Sequence, residues 1–516
     1  MTVILEINTL VWLGELSERY ARRVTLGDVP EEVWDGIALP GVDAVWLMGV
    51  WRRSPAGRRI ALDDSSLRAA FRAVFPGPPG TDDGLRDTDV TGSPYCVRDY
   101  VVDATLGGPD GLAAARARLA ARGLRLVLDH VPHHIAPDHP WTATHPERLV
   151  RGTAADLARA PDAYVETGSG HVYARARDPY FPPWPDVVQL NAFHTTLRDA
   201  TVDTLVAIGD QADGVRCDMA MLLMNDIFTG TWGEAAGPVP AEDFWTYVIP
   251  RVRARHPRLL FIAEAYWGRE QPLLRQGFDL CYDKGLYDRL VRPDASASGS
   301  AAGAADAVRH HLRGGPDDLP GLVRFLENHD EPRAAAVLPG ERGRAAAVTV
   351  ATLPGATLWH EGQFEGRRTH LPVFLTRRPR EPVDVPLRDF HTRLLRAAAT
   401  VRRGEWRPVT AEGWPDNDSY RSLLAWTWTA EEARHLVVVN YSDRPAQARL
   451  PLPWPGLRGR SVRLTDLLTE RTYDRDGDEL AEQGLYVDLE PWHVHVFGVD
   501  RPGAGTEHQG AGRGAG

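Results

Sequence analysis

The chain predicts a (β/α)8 TIM barrel with a long insertion after the third strand and a C-terminal all-β sandwich domain. Three observations carry this. Eight short apolar runs recur between Val3 and Trp359, most of them followed by a helical pattern. Four of those runs lead into a carboxylate: Asp129, Asp218, Glu264 and Asp330. Past Val401 the pattern changes to short strand-like runs between turns.

The runs fall in order. Val3 to Ile7 is the first strand and Asp43 to Met48 the second. A Gly-, Pro- and Asp-rich loop follows the second and ends in Ser93 to Tyr100. Leu112 to Arg122 reads as a helix, with Leu112, Ala115 and Leu119 on one face, and Gly123 stops it. Leu124 to Leu128 is the third strand. The irregular segment from about 130 to 191 is too long for a plain loop and predicts an inserted subdomain. A helix from Thr195 to Ala212 precedes the fourth strand, Asp213 to Asp218. Leu259 to Ala263, Phe278 to Tyr282, Val323 to Leu326 and Ala356 to Trp359 complete the eight. Ala295 to Ala305 reads as a linker, and Leu387 to Val401 as a closing helix. The expected domains are a barrel over 1–402, a sandwich over 403–500 and a disordered Gly/Ala-rich tail over 501–516.

Composition narrows the function. With 59 basic and 70 acidic residues the net charge is −11, which argues against a nucleic-acid or anionic-membrane partner. No apolar run approaches the length of a membrane span. Three cysteines make no disulfide framework, and the first ten residues lack a basic leader segment. A cytoplasmic enzyme is the expectation, with its oligomeric state open.

In a barrel of this class the strands' C-terminal ends build the site. Strand alternation places Arg216 and Asp218 on one face and turns Cys217 away. Cleavage of a glycosidic bond needs one carboxylate held ionised and another held protonated. Arg216 beside Asp218 favours Asp218 as the ionised nucleophile. Glu264 follows a wholly apolar run and precedes Tyr266 and Trp267, so burial raises its pKa and makes it the general acid/base. Asp330 is a third carboxylate able to hold sugar hydroxyls. Tyr95, Trp51, Trp232 and Trp267 are candidates for stacking on sugar faces, with core or rim packing as their alternative.

The motifs resemble those of the α-amylase family of retaining glycoside hydrolases and transglycosylases. Asp129-His130-Val131-Pro132-His133-His134 is similar to the family's first motif, and Gly214-Val215-Arg216-Cys217-Asp218 to its nucleophile motif. Glu264 resembles the acid/base, Asn328-His329-Asp330 the last motif, and Tyr95 to Asp99 the element whose tyrosine stacks on the sugar. Gln189-Leu190-Asn191 resembles the short motif before the nucleophile strand. The resemblance implies that Asp218, Glu264 and Asp330 are catalytic. It further implies that Tyr95, Asp129, His134, Arg216 and His329 contact an α-linked gluco-oligosaccharide.

Two departures from the family pattern stand out. His133 replaces an asparagine that often ligates structural calcium, and imidazole suits a hard cation poorly. No cofactor is therefore expected. Met221 and Leu222 replace the Lys-His pair of endo-acting amylases, which leans toward short α-glucosides or glucosyl transfer. Two other readings stay open on residues alone. One is a metal-dependent hydrolase using Asp129, His130, His133, His134 and His139. The other is a non-catalytic sugar-binding barrel.

Overall fold

The structure is a computed structural model that describes residues 2–500 apart from 79–80, 82–83, 292–300 and 314–318. Eight strands form a closed parallel barrel: β1 (Val3–Asn8), β2 (Ala44–Met48), β3 (Arg125–His130), β4 (Gly214–Cys217), β5 (Leu260–Ala263), β6 (Leu280–Tyr282), β7 (Leu322–Arg324) and β8 (Ala356–His360). Each pairs with its neighbour in sequence, and β1 closes on β8 with Val3 opposite Thr357. Both faces of such strands are covered, which is why they read as unbroken apolar runs rather than alternating ones. Every residue of β1, β2 and β4 is buried.

Local chemistry sets the boundaries. The helix after the second strand's loop runs Gly108–Ala121, a turn earlier than Leu112, because Gly107 at φ 111° and Pro109 start it. Gly123 ends it at φ 74°, a left-handed position that glycine adopts without a Cβ clash. The linker expected over 295–305 is replaced from 301 on by the helix Ala301–Arg313. Alanine is the strongest helix former, and Ala304, Ala305, Val308 and Leu312 are all buried. Positions 295–300 lie outside the described residues, as does the tail from 501.

The insertion after β3 is built from two small antiparallel ribbons. His134–Ile135 pairs with Val188–Gln189, and Tyr164–Glu166 with Val172–Ala174. Ile135, Leu149, Tyr173, Val188, Leu190 and Leu197 give it a core.

The chain divides into two compact units. One comprises 1–288, 315–337 and 355–388, and holds all eight barrel strands. The other comprises 289–314, 338–354 and 389–516. The second contains a six-stranded sheet ordered Glu405–Pro408, Leu423–Thr429, Arg434–Asn440, Val494–Val499, Ser461–Asp466, Thr472–Asp476. A ribbon of Ala446–Leu450 with Leu485–Leu489 covers it. Ala446, Ala448, Leu450, Leu485, Val487 and Leu489 share one core with Leu423, Leu436, Val438 and Phe497, which is a sandwich. The strand Thr472–Asp476 gives no sequence signal because none of its residues is buried. Among the described residues no helix is long and apolar enough to cross a membrane.

Leu436 is wholly buried in the sandwich core. Leu436→Ala is expected to cost about 3 kcal/mol of that unit's stability in a denaturant titration. A loss under about 1 kcal/mol would show that the two sheets do not share a packed core.

Candidate active site

The site is assembled at the C-terminal ends of the barrel strands around one buried cation, Arg216 on β4. Its Nη1 donates to Asp218 Oδ1 at 2.6 Å. Its Nη2 lies 2.8 Å from Glu264 Oε2 at the end of β5. Parallel register sets this up: Arg216 stands beside Asp129 on β3 and Ile262 on β5. The backbone carries the same order, since Glu264 N–H donates to Cys217 O at 3.0 Å and Asp218 N–H to His130 O at 2.8 Å. Three rings enclose the guanidinium: Trp46 at 5.2 Å, Tyr95 at 5.4 Å and Tyr282 at 5.7 Å from its carbon. Cation–π attraction of this kind strengthens when water is excluded.

Glu264 is held on both oxygens. Tyr266 Oη donates to Oε1 at 2.7 Å and Met219 N–H to Oε2 at 2.7 Å. Met219 reaches it in the left-handed region, at φ 42°, which is strained for a side chain of this size. Burial is the dominant influence on Glu264 and pushes its carboxyl up to about 7, against the opposing pull of Arg216. Asp218 departs from the simple expectation that its arginine keeps it low. Burial raises its carboxyl too, outweighing Arg216, whose charge is shared with Glu264. Of the two, Glu264 is the one displaced to about 7, so it is the carboxyl that keeps its proton near neutrality.

Asp330 sits in the loop beyond β7 rather than at the strand's end, and its side chain is 46% exposed. Enclosure in the cleft opposes ionisation, but His329 Nε2 at 3.0 Å prevails and holds the carboxyl down to about 2. Burial likewise works against the His329 imidazolium, and Asp330 and Glu6 overcome it, so its pKa is raised. Glu6, on β1, faces His329 Nδ1. Tyr95 stacks on the His329 ring, centroids 5.1 Å apart and 15° from parallel, and its hydroxyl lies 3.4 Å from Asp129 Oδ1. Gly49 N–H donates to Asp129 Oδ2 at 3.0 Å. At φ 79°, with Pro94 Cβ only 2.9 Å from where a Cβ would stand, Gly49 is irreplaceable there.

Arg216, Asp218, Glu264, Tyr95, Asp129, His329 and Asp330 thus form one connected network. His134 joins it through a hydrogen bond to the Tyr95 backbone, and burial lowers its pKa to about 4, leaving a neutral imidazole. Trp51 and Trp232 are buried and do not line the opening. Trp267 is 40% exposed. Cys217 is fully buried.

Sequence reasoning passed over Glu6, Trp46, Tyr282, Glu327 and Arg333. Glu6 had a signal, being a lone carboxylate inside the apolar run Val3–Asn8. Glu327 likewise is wholly buried, pairs with Arg333 Nη1 at 3.0 Å and is pushed up to about 7 by burial.

The residues at the first motif do not fit calcium. His133 is buried with its Nδ1 3.3 Å from that of His134, and the Trp184 ring stands edge-on to it. Burial lowers its pKa, so it offers a neutral nitrogen where the ion needs oxygens. Among the described residues no group of three or more His, Cys, Asp or Glu side chains could hold a metal ion.

Fold and site together define a (β/α)8-barrel protein with an Arg-bridged carboxylate pair at the strand ends. No protein-family model matches the chain. It is 25% identical over 343 residues to an alpha-amylase of Haloarcula japonica, a match covering 64% of this chain and 44% of that protein. It is 28% identical over 186 residues to the alpha-1,4-glucan:maltose-1-phosphate maltosyltransferase of Burkholderia pseudomallei, covering 34% of this chain and 14% of that one. The chain thus spans less than half the length of these curated relatives. A maltogenic alpha-amylase from Thermotoga neapolitana shares its fold, with TM-score 0.66, 19% identity and 96% and 98% of the two chains covered. The fold of the chain is that of this alpha-amylase structure.

His329 gives the site a pH signature. The depressed Asp330 carboxyl contributes stability above its ordinary value of 3.8 and loses it as pH falls toward about 2. His329→Gln removes that contribution. Its stability at neutral pH is expected to fall by about 1 kcal/mol, discounted for the exposure of Asp330, and the dependence between about pH 4 and 2 to flatten. An unchanged slope in acid unfolding would show that His329 does not hold Asp330 ionised.

Proposed function

We propose that the chain is a retaining glycoside hydrolase acting on α-glucosidic bonds of short gluco-oligosaccharides. The observation that carries this is one guanidinium bridging Asp218 and Glu264, with the Glu264 carboxyl pushed up to about 7. Bracketing both carboxylates on one arginine favours the nearer spacing of a retaining pair over the wider gap that houses water in an inverting one.

In the first step Asp218 attacks the anomeric carbon while Glu264 gives its proton to the leaving oxygen, and a glycosyl ester of Asp218 forms. As Asp218 loses its charge, Arg216 turns its remaining field to Glu264, now ionised. In the second step Glu264 takes a proton from water, which attacks the same carbon from the other face and frees Asp218. Asp330 stays ionised throughout and accepts hydrogen bonds from the sugar beside the reacting carbon, with His329 as its neighbour and His134 as a further donor to that sugar. Tyr95, pinned over His329, supplies the stacking face.

Glycosyl transfer is the alternative outcome of the same intermediate, and the maltosyltransferase relative favours keeping it. Preference for short substrates, or for glucosyl transfer, rests on Met221 and Leu222, both buried apolar residues where endo-acting amylases carry a Lys-His pair. We further propose that the enzyme needs no calcium and works in the cytoplasm, where its three buried free cysteines stay reduced.

Rate is expected to fall as pH rises through about 7, because Glu264 must enter the cycle protonated. Glu264→Gln should abolish that limb, and a limb that persists in the variant belongs to another group. On maltose, maltotriose, isomaltose and trehalose, Asp218→Asn should turn over about 10⁴-fold more slowly than the native chain. Equal rates, or no turnover of any α-glucoside by the native chain, would remove Asp218 as nucleophile. Prolonged chelation should leave both the rate and the melting temperature unchanged, and a loss restored by calcium alone would overturn the metal-free reading.

A further inference from the structure

We infer that the buried pair Glu327–Arg333 positions Asp330 for the sugar, by locking the loop that carries His329 and Asp330 onto the end of β8. This rests on the glycosidase reading above. The Asp330 carboxylate meets His329 Nε2 at 3.0 Å, and its half-exposed side chain must stay open to receive a hydroxyl. Contacts packed around that side chain would block the substrate. Its place is therefore set through its backbone.

The loop closes on itself at Glu327. Glu327 Oε2 accepts the Ala334 N–H at 2.5 Å, so the chain leaves this carboxylate and returns to it seven residues later. Glu327 Oε1 lies 3.0 Å from Arg333 Nη1. Within the ring, Asn328 Oδ1 accepts from the N–H groups of Asp330 and Glu331 at 2.9 and 3.0 Å. Glu327, Asn328 and Arg333 are all buried.

Arg333 then ties the ring to β8. Its Nη1 donates to His360 Nδ1 at 2.6 Å and its Nη2 to Glu361 O at 2.8 Å. Burial lowers the His360 pKa, so the ring is neutral and its Nδ1 can accept. Gly362, at φ 83°, leaves the guanidinium room: a Cβ there would stand 2.6 Å from Arg333 Nη2. The segment beyond β8 adds two further ties. His370 Nε2 donates to His329 O at 2.9 Å, and Arg368 Nη1 to Ala335 O at 2.6 Å. Both flank the ring, one beside Asp330 and one just past Ala334.

Stability alone does not call for this arrangement. A buried ion pair loses in hydration much of what it gains in attraction, and apolar residues of similar volume often replace one without loss. Apolar side chains could not accept the Ala334 N–H, nor reach a ring nitrogen and a carbonyl from one rigid fork. What the pair supplies is geometry, and a misplacement of about 1 Å at a reacting centre can cost about 100-fold in rate.

The test is a double-mutant cycle on fluoride release from α-glucosyl fluoride, with kcat and KM determined for each variant. Arg333→Ala is expected to lower kcat/KM about 100-fold. Arg333→Lys, which keeps the charge without the fork, should not restore the native value. On the Asp330→Asn background, Arg333→Ala should cost about threefold or less, because the group it positions is already gone. Losses that multiply across the two backgrounds would mean general structural damage and overturn the inference. So would a native rate in Arg333→Ala. If Arg333→Ala does not fold, Glu327→Gln runs the same cycle, keeping volume and an acceptor for Ala334 while removing the charge that faces Arg333. Its loss, about tenfold, should likewise vanish on the Asp330→Asn background, and persistence there overturns the inference. Failure of the native chain to release fluoride overturns the glycosidase reading itself, whereas an additive cycle in an active chain overturns the positioning role alone.

Discussion

A guanidinium with almost no exposure, at the wall of a barrel, is the constraint on which the rest of the site depends. An isolated cation there would cost several kcal/mol in lost hydration. Arg216 is tolerated because Asp218 and Glu264 sit on its two terminal nitrogens and three aromatic rings surround it. The dependence runs both ways. Without Arg216, two carboxylates would face each other in an enclosed site, and at least one would have to be neutral. With it, both stay close while their proton affinities differ.

The second charge centre is organised on the same logic with the sign reversed. His329 lies between Glu6 and Asp330, so a buried imidazole becomes a cation, and that cation keeps Asp330 ionised at the mouth of the cleft. Tyr95 links the two centres, stacking on His329 and lying over Arg216. The enclosed network therefore alternates in charge, and each member's ionisation rests on its neighbour. Local strain sits beside it: Met219, whose N–H donates to Glu264, and Trp267, three residues beyond Glu264 in sequence, are both non-glycine residues at positive φ. Such strain persists only where the surrounding contacts over-determine the conformation.

Much of this was legible from residues alone, for identifiable reasons. The barrel strands are covered on both faces and so read as continuous apolar runs. Asp218 and Glu264 stand directly after such runs, and the period of two put Arg216 on the same side as Asp218. The double use of Arg216 was not legible, because the second partner lies on another strand and depends on register between β4 and β5. Tyr282 escaped notice for the same reason, whereas Glu6 carried a signal of its own as the lone carboxylate in an apolar run. The helix from Ala301 was hidden by a composition equally typical of linkers, and the edge strand Thr472–Asp476 by its exposure.

The most direct measurement is to trap the proposed ester. The native chain would be incubated with a fluorinated α-glucosyl fluoride whose intermediate hydrolyses slowly, then digested and examined by mass spectrometry. The expected result is a single fluoroglucosyl adduct on the peptide carrying Asp218, absent after Asp218→Asn. Turnover without any adduct, or an adduct on Glu264 or Asp330 instead, would contradict a covalent mechanism centred on the arginine-bound aspartate.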